Sequence, residues 1–522
     1  MATSSTSFFH APDRDSPFAL RIAVGCAMAA MFMQVLDTTI ANVALPYMQG
    51  SLQASRDQIT WVLTSYVIAA AIMTGPIGWL SARFGRREIL LVSITGFTIT
   101  SALCGLAQTL DQMILFRIMQ GVFGASISPI SQAILLDRFP IEQRGRLMAV
   151  WSMVVTMGPI LGPTLGGFLT DHYSWRWVFY VNVPIGIICV TGVYFFLFED
   201  REKKPPQFDW YGFAFLSLAL GAMQLLLDRG TDKDWFSSTE IVSEAVIAGL
   251  AFYLFMVHQF TAKNPFVDFG LFKDRNFVLG TVLTFLVAML LLSTSALLPP
   301  YLQNLGGYSV LQTGMMLAPR GFGTMISMIA MGRIVNKIDT RWCMMGGSAV
   351  LLWSMWTMSG WTPDISSSSL AFITFVQGVA MGLIFVPMNM FTYATLPAQH
   401  RTSASSLLSL FRNLGAAVGV SLTATLLTRS SQANYNMLAE NASPFNRALG
   451  QNAASMMMSP QIPFGAQNLS DLITQQSTII AYANVFMFLF FASIPVAAVV
   501  FLFRRDTLMV AATPETQMEA LE

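Results

Sequence analysis

Four charged side chains are the main interruptions of the long apolar stretches in this sequence, and they are the residues best suited to do chemistry. One is an acid, Asp37, and the other three are arginines, Arg117, Arg320 and Arg412. A charge at the centre of a membrane-spanning helix costs about 2.5–3.5 kcal/mol even on lenient insertion scales, so it is kept mainly where it serves a function. A buried acid among many apolar stretches therefore indicates a transporter driven by ions or protons.

Polar residues accompany Asp37 at helical spacing. Gln34, Thr38 and Asn42 are four residues apart, and Asp37 follows Gln34 by three. Residues three and four apart lie on the same face of a helix, so the sequence predicts a polar stripe. This stripe supplies candidate residues for substrate binding or gating beside the acid.

Arg117 and Gln120 form a second polar pair at helical spacing. Arg117 lies at a similar depth in its apolar stretch to Asp37, so we expect the two to meet in the outer half of the membrane. Burial favours the protonated carboxyl, whereas an adjacent arginine favours the carboxylate. A carboxyl balanced in this way can exchange a proton when water access or an incoming cation changes the balance. A static ion pair that only orients the helices is the alternative interpretation.

The other two arginines and the methionines suggest roles in the C-terminal half. Arg320 follows Pro319, and it could bind either an anionic substrate or a backbone carbonyl. Arg412 stands near the start of its apolar stretch, where we expect its side chain to extend to the cytoplasmic surface, with substrate binding or gating as the alternative. Met381 belongs to a methionine-rich set whose flexible thioethers either adapt to varied ligands or fill the core.

Apolar helices must position these residues. The chain of 522 residues is 54% hydrophobic and only 11% charged, against roughly 25% charged in soluble domains. About 20 apolar residues cross the hydrocarbon core as a helix, so the sequence predicts fourteen spans. These spans lie near 20–45, 59–81, 88–108, 112–136, 146–170, 176–197, 210–228, 240–261, 276–302, 310–334, 342–361, 367–395, 402–428 and 478–503.

The distribution of Lys and Arg predicts the orientation. With a cytoplasmic N-terminus, 20 of the 29 Lys and Arg fall on the cytoplasmic side, 6 fall outside and three lie in the membrane. Cytoplasmic loops carry the excess of positive charge, so we expect both termini in the cytoplasm. An even number of spans is then required, and fourteen satisfies it.

Small-residue motifs recur in the two halves at nearly equal offsets of 253 to 257 residues. Parallel six-helix repeats of this kind occur in secondary transporters. The sequence thus predicts an all-α polytopic membrane protein with two six-helix halves and two inserted helices. The recurring positions are Gln120-Gly121 with Gln377-Gly378, Gly78 with Gly332, and Gly162 and Gly166 with Gly415 and Gly419. The predicted parts are a cytoplasmic tail at 1–19, a bundle at 20–200, an inserted pair at 201–275, a second bundle at 276–503 with an outer loop at 429–478, and a cytoplasmic tail at 504–522.

Several segments have the spacing of transporter signatures. Arg117-Ile118-Met119-Gln120-Gly121 follows a fourth-span arginine motif, and Leu36–Pro46 follows a first-span signature. A loop motif between spans two and three contributes Gly78, Arg83, Gly85, Arg86 and Arg87, and a fifth-span motif contributes Gly158, Pro159, Gly162, Pro163, Gly166 and Gly167. Together these segments resemble the major facilitator superfamily. With Asp234–Ser238 and Asn264-Pro265, they resemble its fourteen-span drug:proton antiporters of the EmrB subgroup.

The resemblance implies an activity, a location and partners. It implies a proton-driven multidrug efflux transporter that exports hydrophobic or amphipathic compounds by alternating access, with Asp37 and Arg117 in proton coupling. It also implies a bacterial inner membrane, a periplasmic adaptor (membrane fusion protein) and an outer-membrane channel. The polar segment 429–478 would then be either a solvated linker or a docking surface for the adaptor.

The sequence departs from the family pattern at two positions. Ala82 stands where the loop motif usually carries Asp, so we do not expect the charged lock that this Asp forms. Ala149 stands where the fifth-span motif usually begins with Gly, and alanine is small enough for close helix packing to survive. Pro159 and Pro163 weaken the backbone hydrogen bonds of that span, so the motif is interpreted as a gating hinge.

Other classes of function lack their signatures. The net charge of +1 does not favour nucleic acid as a partner. The sequence has no Gly-Lys dipeptide and hence no ATP-binding loop, and its four His are scattered without metal-ligand spacing. No enzyme activity, cofactor or metal is expected. Two alternatives stay open, a dedicated proton-coupled exporter of one metabolite or siderophore and a passive channel, which would need a polar ring from several spans.

Overall fold

The computed structural model describes residues 17–139, 141–198, 207–334, 339–397, 400–440 and 463–502. The predicted C-terminal tail, residues 1–16 of the predicted N-terminal tail and residues 441–462 of the predicted outer loop lie outside the described residues, as does the side chain of Pro159. All regular secondary structure in the described ranges is helical.

Helices α1 to α10 build the N-terminal half. The second predicted span is broken in two, and the chain bends there by 58°. Pro76 has no N–H with which to continue the helix after Gly75. The helices are α1 (Pro17–Ser51), α2 (Arg56–Ile59), α3 (Trp61–Thr74), α4 (Ile77–Phe84), α5 (Arg86–Leu106), α6 (Leu110–Gly124), α7 (Ile127–Arg138), α8 (Ile141–His172), α9 (Trp177–Tyr180) and α10 (Asn182–Phe196).

Helices α11 and α12 form the inserted pair, and α13 to α18 form the C-terminal half. The helix α11 begins at a capping carboxylate, since Asp209 Oδ1 accepts a hydrogen bond from the Gly212 backbone N–H. The helices are α11 (Trp210–Arg229), α12 (Thr239–Thr261), α13 (Arg275–Pro300), α14 (Val310–Ile334), α15 (Thr340–Ser359), α16 (Ser367–Ala394), α17 (Arg401–Glu440) and α18 (Pro463–Phe501).

The described helices fit the predicted spans in order. Ten helical segments are long and apolar enough to cross a membrane, and two bent pairs, α3 with α4 and the two parts of α8, raise the number to 12. The two remaining predicted spans correspond to α14 and α15, which are less apolar. The number of fourteen fits this order and stays a prediction.

The helices of the two halves pack in the same pattern. α1 lies on α8, α3 on α6 and α5 on α10, while α13 lies on α17, α14 on α16 and α15 on α18. The recurring glycines stand at matching contacts. A Cβ on Gly121 would lie 2.5 Å from the carbonyl oxygen of Tyr66 on α3, and one on Gly378 would lie 2.0 Å from that of Arg320 on α14. These contacts agree with a duplication.

Two interfaces join the halves. α8 packs along α14, where Ala149 faces Gly332, so the close packing expected at Ala149 is confirmed. At the second interface, α17 packs against α4 and α7. α7 also contacts α16 there, through the Gln132 Nε2–Asn389 Oδ1 hydrogen bond of 3.2 Å. The inserted pair lies beside this second interface, because α11 contacts both α3 and α17.

The helices α17 and α18 are longer than the membrane. They contain 40 and 39 residues, which at about 1.5 Å per residue is roughly twice the 30 Å hydrocarbon thickness. Ser430 and Asn484 join them through a hydrogen bond of 2.9 Å, and Tyr435 and Ser470 through one of 3.3 Å. The described parts of 429–478 thus continue as helices that contact each other, and the choice between a solvated linker and a docking surface stays a prediction.

Candidate functional site

Asp37 is the centre of a buried hydrogen-bond network in the N-terminal half. Its Oδ2 accepts from Arg117 Nη1 at 2.7 Å, and its Oδ1 accepts from Gln120 Nε2 at 3.0 Å and from Asn182 Nδ2 at 2.8 Å. All four residues are 0% exposed. The predicted meeting of Asp37 and Arg117 is confirmed, and their part in proton coupling stays a prediction.

The Arg117 guanidinium ties three helices together. Its Nε donates to the backbone oxygen of Val62 on α3 at 2.9 Å, and its Nη1 also donates to Gln120 Oε1 at 2.7 Å. Its central carbon lies 4.3 Å from the centre of the Tyr66 ring. A desolvated charge pair is stable only when further hydrogen bonds satisfy both partners, and these contacts meet that condition.

Asn182 is a member of the network that sequence reasoning missed. It stands at the start of α10, and its Nδ2 also lies 2.9 Å from Ser101 Oγ on α5. Ser101 Oγ donates in turn to the backbone oxygen of Phe179 at 2.9 Å. A lone Asn in the apolar stretch 176–197 was the available signal, and it extends the site from α1 to α5 and α10.

The predicted polar stripe on α1 contributes only Asp37 to this network. Thr38 Oγ1 donates to the backbone oxygen of Val35 at 2.7 Å, and Asn42 is exposed. Gln34 is half-buried, and its Oε1 accepts no hydrogen bond from any described residue. Gln34, Thr38 and Asn42 therefore remain candidates without a contact to the acid.

The glycine motif of α8 packs on the helix that carries Asp37. A Cβ on Gly158 would lie 2.4 Å from Val35, and one on Gly162 would lie 2.1 Å from Thr39 Oγ1. Gly166 faces Ile40 in the same way at 3.0 Å. α8 bends by 43° between Gln143–Gly158 and Leu161–His172, beside Pro159 and Pro163. Gly167 is buried and accepts a hydrogen bond from Thr170 Oγ1.

The loop motif takes part in contacts between the halves. Gly85 has φ of 93° and starts α5, a conformation that favours glycine. Asp137 on α7 accepts from Arg86 and, at 2.6 Å, from Arg401 Nη1 at the start of α17.

Ion pairs are therefore present at this interface although position 82 carries Ala. Their carboxylate comes from Asp137 on α7, outside the loop motif, and a lock made by an acid at position 82 is a separate matter that stays untested. A Cβ on Gly78 would lie 2.6 Å from Ser403 Oγ, so the loop motif also packs closely on α17. Arg83 is exposed, and Arg87 donates to the backbone oxygen of Tyr194 at 2.7 Å.

Arg320 binds neutral acceptors on α13. Its Nη1 donates to Ser295 Oγ at 3.1 Å, and its Nη2 donates to Thr294 Oγ1 at 3.0 Å and to the Leu291 carbonyl oxygen at 3.4 Å. The residue is 3% exposed. Of the two interpretations of Arg320, the carbonyl contact is thus present, and an anionic substrate stays a proposal.

Arg412 points into the protein, and the expectation that it extends to the cytoplasmic surface is wrong. Its Nη2 donates to Ser409 Oγ at 3.0 Å and to Ser128 Oγ on α7 at 3.3 Å, and its central carbon lies 5.4 Å from the Trp151 ring centre. Arg412 is half-buried, and these partners hold its guanidinium between the two halves. Met381 is 0% exposed in the core of the C-terminal half, and its role as a substrate wall stays a prediction.

Within the described residues, no group of three or more His, Cys, Asp or Glu could hold a metal ion. The site instead consists of one buried ion pair between packed helices, joined by a glycine-rich contact to the interface between two similar halves. This arrangement is typical of a multi-span membrane transporter.

Comparison with known proteins identifies the family. The model of the Major Facilitator Superfamily matches residues 27–420, and the chain belongs to this family. The Multidrug export protein EmrB of Escherichia coli (strain K12) is 36% identical over 466 residues, which is 88% of this chain and 90% of EmrB. The Fatty acid resistance protein FarB of Neisseria gonorrhoeae is 35% identical over 475 residues, 90% of this chain and 93% of FarB. The predicted resemblance to the EmrB subgroup is confirmed.

The fold also matches solved transporter structures. A bacterial homolog of the human lysosomal transporter Spinster, in an inward-facing and unoccupied conformation, aligns with a TM-score of 0.55 at 17% identity. The alignment covers 94% of this chain and 98% of that structure. This likeness supports the fold alone.

Proposed function

We propose that this protein exports hydrophobic or amphipathic compounds, several drugs among them, in exchange for protons. The observation that carries the proposal is the carboxyl of Asp37, which is fully buried and held by Arg117, Gln120 and Asn182. An ionisable residue inside the membrane usually serves a function, and its ion-pair partner here is Arg117. Binding of a proton would neutralise the carboxylate of Asp37. The names of the relatives, multidrug export and fatty acid resistance, support the choice of substrates.

Protonation of Asp37 would loosen one helix of the site. A neutral carboxyl no longer attracts the Arg117 guanidinium as an ion, although hydrogen bonds to Gln120 and Asn182 can persist. α1 can then shift against α6 and α10. Because α1 packs on the glycines of α8, and α8 packs along α14, a shift of α1 reaches the interface of the halves.

The cytoplasmic contacts between the halves would open in the same cycle. Asp137 forms ion pairs with Arg86 and Arg401, and Gln132 forms hydrogen bonds with Asn389 and Tyr393. In our proposal these contacts keep the cytoplasmic side closed, and water can replace them when it opens. Alternating access requires these bonds to break when the substrate path faces the cytoplasm. Protonation of Asp37 would change the relative free energy of the two conformations, one open to each side of the membrane.

Transport in liposomes tests the proposal. The purified protein is reconstituted, a pH gradient is imposed, and both substrate flux and proton flux are followed. We expect saturable drug transport that stops when a protonophore collapses the gradient, with protons moving in the opposite direction. Transport that is unsaturable, or that ignores the gradient, would favour a channel over a proton-coupled carrier.

We further propose that the protein lies in a bacterial inner membrane and docks a periplasmic adaptor, which connects it to an outer-membrane channel. The extensions of α17 and α18 provide a helical surface outside the membrane, with exposed Met437 and Phe464. Phe236, between α11 and α12, is 67% exposed on the same predicted side. Trp235 is less suited to docking, because its Nε1 donates to Thr425 on α17 at 3.0 Å.

Phe236 offers a clean test of docking. Phe236→Ser should lower drug resistance in cells but leave transport in liposomes unchanged, because only the cell requires the adaptor. Crosslinking from position 437 should capture the adaptor in cells. Tyr253→Ser, which removes an exposed aromatic ring from the middle of α12, is the control and should affect neither measurement. Equal resistance in cells with and without the adaptor gene would indicate a carrier that works alone.

A further inference from the structure

A cavity of about 410 Å³ lies where the inserted pair meets the two halves. We call it the side cavity. One wall comes from the start of α11 and the segment after α12, with Phe208, Asp209 and Phe266, and the opposite wall comes from α4 and α17, with Trp79 and Ser403. Its volume lies in the range of about 300–1,000 Å³ that is typical of small-molecule sites. The inserted pair therefore completes a chamber that two six-helix halves alone would not enclose.

The side cavity has an aromatic wall. The ring centres of Trp79 and Phe208 are 4.7 Å apart, and those of Phe208 and Phe266 are 5.8 Å apart. Aromatic faces attract cations and also bind apolar groups, which suits a ligand that combines both properties.

The side cavity also has a buried carboxylate with an unused oxygen. The Asp209 side chain is 9% exposed, and its Oδ1 accepts from Gly212 N at 2.9 Å and pairs with His258 Nε2 at 2.8 Å. Its Oδ2 is buried and accepts no hydrogen bond from any residue that the structure describes. The cavity therefore has a carboxylate in its wall, and the negative charge of Asp209 acts on a ligand there at short range.

The charges of the lining favour a positive ligand. Asp268 provides a second carboxylate, paired with His400 at 3.1 Å, and none of the described lining residues is Lys or Arg. Ala82, where the family motif usually carries Asp, lies on the same wall and leaves space. Gly78 and Ser403, in close contact at the interface of the halves, also line the cavity. An occupant would therefore lie beside an interface that opens during alternating access.

We propose that the side cavity binds amphipathic organic cations on the side that Lys and Arg assign to the cytoplasm, before they enter the path between the halves. Asp209 and the aromatic wall would recognise the cationic centre, and the cavity would collect such molecules from the inner leaflet. This inference rests on the proposed export function and deepens it. The ammonium of a lipid head group shares the same chemistry, so the test includes lipid as a competing source.

Binding of tetraphenylphosphonium to the full-length protein in nanodiscs tests the proposal by calorimetry. Asp209→Asn keeps the helix cap but removes the charge, and it should weaken binding at least tenfold. Ala82→Phe fills the cavity without removing any capping group and should weaken binding as strongly. Asp339→Asn, a capping aspartate at the start of α15, is the matched control and should bind like the wild type. Unchanged affinity in both cavity variants would overturn the proposal.

Two further arms separate the other occupants. Nanodiscs with and without phosphatidylethanolamine should give the same phosphonium affinity, whereas competition by that lipid would assign the cavity to a head group. Laurate should bind equally to the wild type and to Ala82→Phe, and loss of laurate binding in that variant would indicate an anionic ligand.

Transport separates the inference from the proposed function. If the wild type transports but Asp209→Asn binds the cation normally, only the cavity assignment fails. If the wild type shows no proton-coupled transport, the proposed function itself fails.

Discussion

α1 and α13 occupy equivalent places in the two halves, and each faces a buried arginine in a different way. Each packs on a glycine-bearing helix, α1 on α8 and α13 on α17. Arg117 meets a carboxylate on α1, whereas Arg320 meets two hydroxyls and a carbonyl on α13. Only the first arrangement contains an acid that can change its charge. The comparison therefore supports the proposal that proton coupling belongs to the N-terminal half, since the other half has an arginine with neutral partners.

The two arrangements also differ in how much stability the protein should lose when one of their residues is substituted. Removing one partner of a buried ion pair leaves an uncompensated charge, which typically costs about 3–5 kcal/mol. The acceptors of Arg320 have other hydrogen bonds, because Thr294 Oγ1 donates to Leu290 O at 2.8 Å and Ser295 Oγ donates to Leu291 O at 2.8 Å. Loss of Arg320 would leave neither hydroxyl without a partner. The N-terminal site should thus be far more sensitive to substitution.

The largest effect is expected for Asp37→Asn, which should abolish proton-coupled transport. Asparagine keeps the size of the side chain and contacts with Gln120 and Asn182, but it cannot cycle a proton. Coupled drug and proton fluxes in liposomes measure the result, and size-exclusion chromatography checks that the protein is folded. Asp111→Asn, at the exposed start of α6, is the control and should behave like the wild type. Wild-type coupling in Asp37→Asn would remove the acid from the mechanism.

Gly162→Leu should be nearly as damaging, because it separates α1, the helix that carries Asp37, from α8. The space beside Gly162 is filled by Thr39, so any added side chain must push α1 away. We expect loss of active export or a proton leak, measured as the decay of an imposed pH gradient. Gly249→Leu is the matched control, since a Cβ on Gly249 meets nothing within 4 Å. Full activity of Gly162→Leu would reduce the motif to ordinary packing.

Arg117→Lys should slow turnover by about tenfold or more and leave substrate binding largely intact. Lysine keeps the charge, but it lacks the fork that joins Asp37, Gln120 and the Val62 carbonyl. Separate measurement of kcat and of substrate affinity distinguishes the two effects. Arg83→Lys at the exposed loop motif should change neither. A fall in affinity alone would make Arg117 a substrate ligand instead of a partner of the acid.

Much of this organisation could be predicted from the sequence, because apolar length and small-residue spacing act locally along a helix. The stretches of apolar residues predicted the helices, and the rarity of buried charge singled out Asp37 and Arg117. Asp37 and Arg117 lie at similar depths in their predicted spans, and this similarity predicted that they would meet. The recurring glycines predicted the duplication, since a glycine contact persists where two backbones approach closely.

The remaining features depend on contacts between distant segments. In the sequence Asn182 is an isolated polar residue, and only the packing of α10 beside α1 brings it to Asp37. Likewise, the contacts of Arg412 with α7 and α8 depend on how distant helices pack. The ion pairs of Arg86 and Arg401 could not be predicted from the loop motif, because Asp137 supplies their carboxylate from another helix. The continuation of α17 into 429–440 was missed because a polar segment was equated with a loop.

The smallest effect is expected for Arg320→Gln, which tests the C-terminal half of the comparison. Glutamine removes the charge, and the acceptors on α13 keep their own hydrogen bonds, so the free energy of unfolding should change by no more than about 1 kcal/mol. The number of protons exchanged per neutral drug molecule should stay as in the wild type. Flux ratios in liposomes and thermal unfolding in detergent measure the two quantities.

Arg412→Gln is the matched comparison, because that arginine also binds hydroxyl groups but bridges the two halves through Ser128. It should alter the rate of transport more than Arg320→Gln does, since alternating access breaks contacts between the halves. A lower proton ratio in Arg320→Gln would contradict the division of labour between α1 and α13. A selective loss of laurate transport in that variant, with the proton ratio unchanged, would instead identify Arg320 as the residue that meets an anionic substrate, and coupling would still belong to Asp37.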